Sequence, residues 1–287
     1  MNIITPKKYI LNGLWFGSGQ PQKLFIFVHG LTANAFSNHD LVVPLVGKGT
    51  AAMTFSNRGH DIIATIYPVD KKSKKGCKSI IAGMAHEVFT DCVDDIQGAV
   101  NFARSRGVKN IYLVGHSTGC QKIIYYLARA KPQSAIKGAV LLCPLSDYSS
   151  AKKFTNPRVL GRATKIAREL VKQKRPHELL PGNAWPYIID AQRFLSLHTP
   201  DSKEEMFTYA RPNVIPKTLH QIKVPILTVL AEKDEHGDIQ PSAMLDWFKG
   251  HIRAADASFA VVKDALHNFD GLGYKVVKII SNWAKKR

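Results

Sequence analysis

The stretch IYLVGHSTGCQKIIYYLARA, residues 111–130, decides the expected fold. It opens with the apolar run Ile111–Val114, typical of a strand buried on both faces, and ends in an amphipathic pattern over Cys120–Ala130, typical of a helix. Between them lies GHSTG (residues 115–119), in which Ser117 has a glycine two residues away on either side. A sharp strand-to-helix turn with a strained residue at its tip needs small neighbours of this kind. The stretch therefore predicts a strand, a tight turn that exposes Ser117, and a helix.

Short apolar segments of the same strand character recur along the chain, separated by amphipathic stretches. This alternation is typical of an α/β fold with a mostly parallel central sheet flanked by helices. The further predicted strands are Leu24–Val28, Ala51–Phe55, Ala139–Cys143, Ile226–Leu230 and Ser258–Val262. Tyr9–Phe16 predicts part of an N-terminal hairpin, and the patterns over Val88–Arg106 and Tyr274–Lys286 predict amphipathic helices.

Residues 145–223 interrupt this alternation. They are rich in proline, contain no convincing strand, and show helical patterns at Val159–Val171 and Tyr187–Leu195. We therefore expect one domain, with residues 1–144 and 224–287 forming the α/β core and residues 145–223 forming an inserted helical cap.

The net charge of +18, from 40 Lys+Arg against 22 Asp+Glu, could indicate binding to nucleic acid or to an acidic substrate. The basic residues are widely spread, however, and the one tight run, residues 71–78, lacks interleaved aromatic side chains. We interpret the charge as a solubilising surface and expect no nucleic-acid binding, which would be steeply salt-dependent. Residues 145–223 carry 14 Lys+Arg against 7 Asp+Glu, and this local excess raises an anionic or carboxylate-bearing substrate as a testable preference.

Several classes of protein are disfavoured by features that the sequence lacks. No apolar run approaches the roughly 20 residues of a membrane span, and no signal-peptide pattern is visible, so we expect a cytoplasmic protein without stable membrane insertion. The four cysteines show no CxxC spacing, and Gly271-Leu272-Gly273 lacks the third glycine of a dinucleotide fingerprint. We therefore expect neither a cofactor nor a metal; the oligomeric state stays open.

Ser117 needs a base, and the base needs an acid that orients it, if the hydroxyl is to act as a nucleophile. Asp234 follows the predicted strand Ile226–Leu230, and His267 follows the predicted strand Ser258–Val262. Because carboxyl ends of parallel strands meet at one edge of a sheet, we expect these side chains to come together there. The predicted catalytic set is Ser117 as nucleophile, His267 as general base and Asp234 as orienting acid.

The identity of the acid stays open at this point. Glu232, Asp234, Glu235 and Asp238 share one loop, and any of them could reach a histidine. Spacing from the strand favours Asp234, with Asp238 next.

A tetrahedral intermediate also needs hydrogen-bond donors for its oxyanion. The strand Leu24–Val28 runs into His29-Gly30-Leu31-Thr32, the place where such a fold supplies a backbone N–H. We predict the N–H groups of Leu31 and Thr118 as the two donors. We expect His29 to hold this loop rather than to act as the base.

Taken together, these motifs resemble the α/β-hydrolase superfamily over nearly the whole chain. The motifs are His29-Gly30, SNRGH at 56–60, GHSTG at 115–119, Asp234 and His267. GHSTGCQ followed by Tyr-Tyr-Leu is similar to a branch that includes fungal siderophore esterases, although His236-Gly237-Asp238 departs from the Val-Pro often found there. The resemblance implies that the loop Arg58-Gly59-His60 is architectural, with His60 as a candidate wall residue.

The function predicted from these residues is hydrolysis of a small-molecule carboxylic ester through an acyl-enzyme on Ser117. An amidase, peptidase or acyltransferase could use the same three residues. A non-catalytic binding protein that keeps the fold is the alternative from a different class, and failure of Ser117 to react with a fluorophosphonate would favour it.

Three further groups of residues carry expectations that the structure can address. Acidic side chains at helical spacing are expected to face solvent rather than bind a metal; they are Glu87, Asp91, Asp94 and Asp95. Cys120 and Cys143 are expected to be buried and inert. Aromatic side chains of the insertion either line a pocket or form its own core; they are Trp185, Tyr187, Phe194, Phe207 and Tyr209.

Overall fold

A computed structural model describes residues 1–287 and contains ten strands and nine α-helices. The strands are β1 Asn2–Ile4, β2 Tyr9–Phe16, β3 Lys23–Val28, β4 Thr50–Phe55, β5 Ala64–Pro68, β6 Ile80–Ala82, β7 Ile111–His116, β8 Ile136–Leu142, β9 Ile226–Ala231 and β10 Ala257–Val262. The helices are α1 His39–Val42, α2 Cys92–Ser105, α3 Thr118–Arg129, α4 Asp147–Phe154, α5 Pro157–Lys172, α6 Ala191–His198, α7 Lys217–His220, α8 Pro241–His251 and α9 Gly273–Lys285. None of the helices is both long and apolar enough to cross a membrane.

All ten strands belong to one sheet. Its order is β10-β9-β8-β7-β3-β4-β2-β5-β6, with β1 paired to β2. The strands from β10 to β4 pair in parallel, whereas β2 pairs antiparallel with β1, β4 and β5, and β5 with β6. The predicted α/β class with a mostly parallel central sheet is confirmed.

The parallel strands are covered on both faces, as their continuous apolar runs predict. Along β3, Phe25 and Phe27 pack in the cluster that includes α1 and α9, whereas Leu24 and Ile26 pack in the cluster that includes α2 and α3. Burying one such side chain completely contributes about 1.5–3 kcal/mol. Alternate side chains along each strand therefore fix the two helical layers to the sheet.

The strand order reverses direction beside β3. From β3 the chain proceeds to β4 on one side, and from β7 it proceeds through β8 and β9 to β10 on the other. Neighbouring loops diverge at such a point and leave a crevice outside the carboxyl ends of the strands. Gly30 follows β3 and Ser117 follows β7, so both lie at this crevice.

The segment between β8 and β9 is helical and has its own apolar cluster. Ala163, Trp185 and Phe194 are buried in that cluster, which also contains Met84 from outside the segment. Helix α5 begins at Pro157, where the Asn156 side chain accepts a hydrogen bond from the backbone N–H of Arg158. Helix α6 begins at Ala191 rather than at the predicted Tyr187, because the Asp190 side chain accepts from the Arg193 N–H and caps the helix there.

The expectation that the acidic residues near α2 face solvent is wrong for most of them. Asp94, Asp95 and Glu87 are buried, and Asp91 is partly buried. Arg58 lies 3.0 Å from Asp94 and 2.7 Å from Asp95. The buried guanidinium of Arg58, from a distant loop, therefore draws Asp94 and Asp95 inward, whereas Glu87 pairs with Lys122 and Arg193. Helical periodicity within one segment cannot reveal such partners.

Candidate active site

Ser117 occupies the predicted turn between β7 and α3 in a strained conformation. Its φ is +54° and its ψ is −129°, a backbone region that residues other than glycine rarely occupy. The backbone around it is packed closely: a Cβ atom on Gly119 would lie 2.0 Å from the Val28 carbonyl oxygen, and one on Gly115 would lie 2.6 Å from Gly119. Only glycine fits at these two positions, and the turn presents Ser117 to the crevice.

His267 and Asp234 lie at the same edge of the sheet, after β10 and β9. The His267 Nδ1 atom lies 2.9 Å from both carboxylate oxygens of Asp234. Burial alone would raise the pKa of Asp234, but the hydrogen bond and charge interaction with His267 outweigh it, so the pKa is lowered. With Nδ1–H donating to Asp234, His267 keeps Nε2 free to accept a proton.

Ser117 and His267 line the same cavity, which has a volume of about 1040 Å³. No hydrogen bond joins the Ser117 Oγ atom to His267; hydrogen bonds between catalytic groups are often longer in structures without substrate. His116 connects the end of β7 to the loop after β10, because its Nε2–H donates to the His267 carbonyl oxygen at 2.9 Å. Burial lowers the pKa of His116 to about 4 and keeps this imidazole neutral.

The other acids of the Asp234 loop contact different groups. Glu235 accepts a hydrogen bond from the backbone N–H of His267 at 2.9 Å, and so holds His267 from a second side. Asp238 accepts from the Tyr209 hydroxyl at 2.7 Å and from the Ser149 hydroxyl. The structure therefore brings Asp234 to the His267 ring and directs Asp238 to the segment between β8 and β9.

The loop after β3 approaches Ser117 closely. A Cβ atom on Gly30 would lie 2.8 Å from the Ser117 Cβ atom. The Leu31 N–H makes no hydrogen bond within the protein, and Leu31 lines the cavity. Thr118 is the first residue of α3, where N–H groups have no partner within the helix. Both predicted donors thus lie beside Ser117.

His29 holds this loop in place. Burial, with the charge of Lys122, lowers its pKa to about 3, so the imidazole is neutral. Its Nε2 atom accepts from the Asn57 N–H at 3.1 Å, and its Nδ1–H therefore donates to the Gly30 carbonyl oxygen at 2.9 Å. With both ring nitrogens occupied, His29 is not free to accept a proton.

The walls of the cavity come from both parts of the chain. Met84 and Leu31 line it from the core, and Trp185, Tyr187 and Leu197 line it from the segment between β8 and β9. The other aromatic residues of that segment lie elsewhere: Phe194 and Phe207 are in apolar clusters, and Tyr209 contacts Asp238. His60 is absent from the lining.

The lining of the cavity contains no Lys or Arg, although the chain has 40 of them. Three exposed carboxylates lie at its rim, Asp40, Glu235 and Asp270, and none of them forms an ion pair. Asp147 also lines the cavity, and burial and the neighbouring Glu204 raise its pKa well above its usual range. The positive charge of residues 145–223 therefore does not reach the cavity wall.

The sequence did not reveal two groups of neighbouring side chains that offer metal-ligand atoms. In one, the ligand atoms of Cys143, Asp234 and His267 lie within 4.8 Å of one another. Burial raises the pKa of the Cys143 thiol, which keeps it protonated; Cys120 is buried in the same way. The second group, His86, His177 and Asp190, lies outside the cavity. The members of each group are far apart in sequence, and no spacing signal could have joined them.

Several solved structures share this architecture. They include the siderophore hydrolase EstB from Aspergillus fumigatus, with a TM-score of 0.72 and 16% identity over 100% of this chain and 96% of that one. Est1E from Butyrivibrio proteoclasticus with bound ferulic acid has a TM-score of 0.63 and 17% identity, covering 100% and 98%. A soluble variant of monoglyceride lipase from Saccharomyces cerevisiae has a TM-score of 0.61 and 13% identity, covering 99% and 96%. The fold is that of the α/β-hydrolases.

No curated protein matches the sequence. A family model described as "Protein of unknown function (DUF1749)" matches residues 76–282. The matched range begins before α2 and ends within α9, so it includes Ser117, Asp234 and His267. It covers more than half of the chain, and the protein therefore belongs to the DUF1749 family.

Proposed function

We propose that this protein is a serine hydrolase that cleaves carboxylic esters. One observation carries the proposal: Ser117, on a strained turn, lines the same cavity as His267, whose Nδ1 atom lies 2.9 Å from Asp234. A hydroxyl, a base with a free nitrogen and an acid that fixes the tautomer are the groups that acyl transfer requires.

In the proposed mechanism, the Ser117 Oγ atom attacks the ester carbonyl while His267 Nε2 takes the hydroxyl proton. Asp234 stabilises the imidazolium that forms. His267 then gives the proton to the leaving alcohol, and the acyl group stays on Ser117. Water, deprotonated by His267, attacks the acyl-enzyme and releases the carboxylic acid.

The proposed oxyanion site consists of the Leu31 and Thr118 N–H groups. The positive end of the α3 dipole adds to it, since Thr118 is the first residue of that helix. Losing one donor of this kind typically lowers turnover by about 10²–10³. Because both donors are backbone groups, replacing the Leu31 or Thr118 side chain does not remove them.

The charge of the cavity rim bears on the substrate. Three unpaired carboxylates and no Lys or Arg favour a neutral or positively charged ester over an anionic one. The apolar side chains of Trp185, Leu197 and Met84 provide surface for an acyl or aryl group. The basic composition of residues 145–223 alone suggests an anionic substrate, but the carboxylates at the cavity rim favour a neutral or cationic one.

The same residues could serve an amidase or an acyltransferase, since they do not select the leaving group. The structures similar to this one include esterases and lipases, which favours esters. Matched ester and amide substrates with the same acyl group distinguish these activities. A non-catalytic role predicts that a fluorophosphonate does not label Ser117.

The decisive experiment compares wild type with Ser117→Ala on a panel of activated esters of varied acyl length, aryl character and charge. We expect turnover to fall by about 10⁶, the scale seen when such a nucleophile is removed. Ser37→Ala is the matched control, because Ser37 lines the same cavity without a role in the mechanism. Unchanged turnover in a folded Ser117→Ala variant contradicts the proposal.

A further inference from the structure

A histidine–aspartate–histidine cluster lies where the segment between β8 and β9 contacts the core. His86 ends the short 3₁₀ turn Met84–His86, whereas His177 and Asp190 belong to the inserted segment. Asp190 Oδ2 lies 3.0 Å from His86 Nδ1 and 2.9 Å from His177 Nδ1. The three ligand atoms all lie within 4.8 Å of one another. Three potential metal ligands therefore converge on one point.

Backbone hydrogen bonds hold the three residues in this arrangement. The Asp190 N–H donates to the Ala85 carbonyl oxygen at 2.8 Å, which fixes Asp190 beside His86. The Ala191 N–H donates to the Glu178 carbonyl oxygen at 3.0 Å, which fixes the neighbouring Asp190 beside His177. The second carboxylate oxygen, Oδ1, accepts from the Arg193 N–H at 2.7 Å. The remaining oxygen, Oδ2, is thereby oriented towards both histidines, as outer hydrogen bonds orient metal ligands.

We propose that this cluster binds a divalent transition-metal ion, with Zn²⁺ as the best match, through His86 Nδ1, His177 Nδ1 and Asp190 Oδ2. Two imidazoles and one carboxylate are ligands that zinc prefers, at about 2.0–2.2 Å. Tetrahedral coordination at those lengths separates neighbouring ligand atoms by about 3.3 Å. The two Asp190 contacts of 2.9 and 3.0 Å open by a few tenths of an ångström to reach this separation, and the two histidine Nδ1 atoms, which lie within 4.8 Å of each other, move to it by rotation of their side chains. Each imidazole then carries its proton on Nε2.

Burial and exposure at the cluster fit an accessible ion. The Asp190 side chain is fully buried, so its charge is poorly solvated and gains from a cation. The side chains of His177 and His86 are 59% and 19% exposed, which leaves an entry path and room for a water ligand. Mg²⁺ and Ca²⁺ prefer oxygen ligands and are disfavoured by the two imidazoles.

An ion here would join the core to the inserted segment next to the cavity. Met84 and Ile189 are close neighbours of His86 and Asp190 in sequence, and both line the cavity. The ion would therefore stiffen one wall of the cavity. The proposal is independent of the proposed ester hydrolysis, since it concerns binding and stability alone.

The test is a titration of metal-free protein with Zn²⁺ by calorimetry, with Co²⁺ substitution followed by visible absorption. Wild type is expected to bind one Zn²⁺, to show the d–d bands of four-coordinate Co²⁺, and to gain several degrees in Tm. In His177→Gln, Zn²⁺ affinity is expected to fall by at least about 10-fold. Replacing a residue that only hydrogen-bonds to a metal ligand already lowers metal affinity by about this factor, and His177 is itself a proposed ligand. His86→Gln provides a second variant with the same expected loss.

His60→Gln is the matched control. His60 Nδ1 lies 2.9 Å from Asp61 Oδ2, so it forms a similar pair without a third ligand. We expect this variant to bind Zn²⁺ as wild type does. Absence of Zn²⁺ binding at micromolar concentrations, or binding that both glutamine variants retain, overturns the proposal. Binding that is lost in Cys143→Ser instead places the ion at the other cluster and overturns it as well.

Discussion

The sheet core and the segment between β8 and β9 are held together by different forces. The sheet is covered by alternating apolar side chains, such as Phe25 and Ile26 of β3, which pack against opposite helical layers. The inserted segment also contacts the core through buried charges. Arg193 is fully buried, 2.8 Å from Glu87 of the core and 2.5 Å from Glu204 of its own segment.

This difference separates two requirements of the site. Apolar burial is non-directional and tolerates small changes, so the sheet can hold Ser117, Asp234 and His267 in a fixed relation. Ion pairs and hydrogen bonds depend on direction, so they specify how the inserted segment lies over the cavity. The proposed reacting groups therefore belong to the apolar core, and much of the cavity wall belongs to the inserted segment. The charged contacts of Arg193 with Glu87 and Glu204 form the polar attachment of that segment to the core.

The largest expected effect separates two aspartates of one loop. Asp234→Asn is expected to lower kcat for ester hydrolysis by about 10⁴, because the amide favours the wrong tautomer of His267. Asp238→Asn is the matched control and should stay within about 10-fold of wild type, since Asp238 contacts Tyr209 and Ser149 instead. Steady-state kinetics of both variants check this. A larger loss in Asp238→Asn than in Asp234→Asn would show that Asp238, not Asp234, supplies the acid.

The next effect tests the buried charges against the apolar core. Glu87→Gln leaves Lys122, at 2.6 Å, and Arg193 without their shared carboxylate. We expect it to lower the free energy of unfolding by about 3–5 kcal/mol. Ile26→Val in the sheet should cost only about 0.5–1.5 kcal/mol. Denaturant unfolding measures both, and equal losses would remove the distinction between the two regions.

The same carboxylate gives the attachment a pH dependence. Burial alone would raise the pKa of Glu87, but Lys122 and Arg193 outweigh it and lower the pKa from 4.5 to about 2. A lowered acid pKa contributes stability that is fully present above pH 4.5 and is lost as pH falls towards 2. The free energy of unfolding of wild type should therefore fall over this window more steeply than that of Glu87→Gln. Parallel curves would contradict the assignment.

The smallest effect concerns the cavity rim. Replacing Asp40 and Asp270 by Asn is expected to reduce the preference for a cationic over a neutral ester by up to about fivefold per charge. The attraction between two opposite charges about 4 Å apart in water is about 1 kcal/mol, which corresponds to this factor. The ratio of kcat/KM for matched esters measures it. Asp264→Asn is the control, because Asp264 pairs with Lys233 and is absent from the cavity lining. If the ratio is unchanged in the rim variants, the charge of the cavity rim does not determine which ester is preferred.

The sequence predicts the core well because its signals are local. Continuous apolar runs identify the parallel strands, and the two glycines around Ser117 identify the turn that the structure contains. Chain order then places Asp234 and His267 at strand ends on the same edge, where the structure brings them together. Their catalytic roles remain predictions that the variants above test.

The contacts between buried charged and polar side chains could not be predicted, because the partners are distant in sequence. Arg58 draws Asp94 and Asp95 inward from a loop that precedes them by more than thirty residues. Asp190 delays the start of α6 and gathers His86 and His177 around itself. Such contacts depend on three-dimensional neighbours, which neither periodicity nor spacing reports.

The backbone of Ser117 has a consequence for how this protein can evolve. A residue with a Cβ atom at φ +54° and ψ −129° costs about 1–3 kcal/mol, and the rest of the fold must offset that cost. Glycine would relieve the strain there but would remove the hydroxyl. Selection for thermal stability alone would therefore act against serine at this position, so the proposed catalytic role of Ser117 and the stability of the fold are in conflict at a single residue.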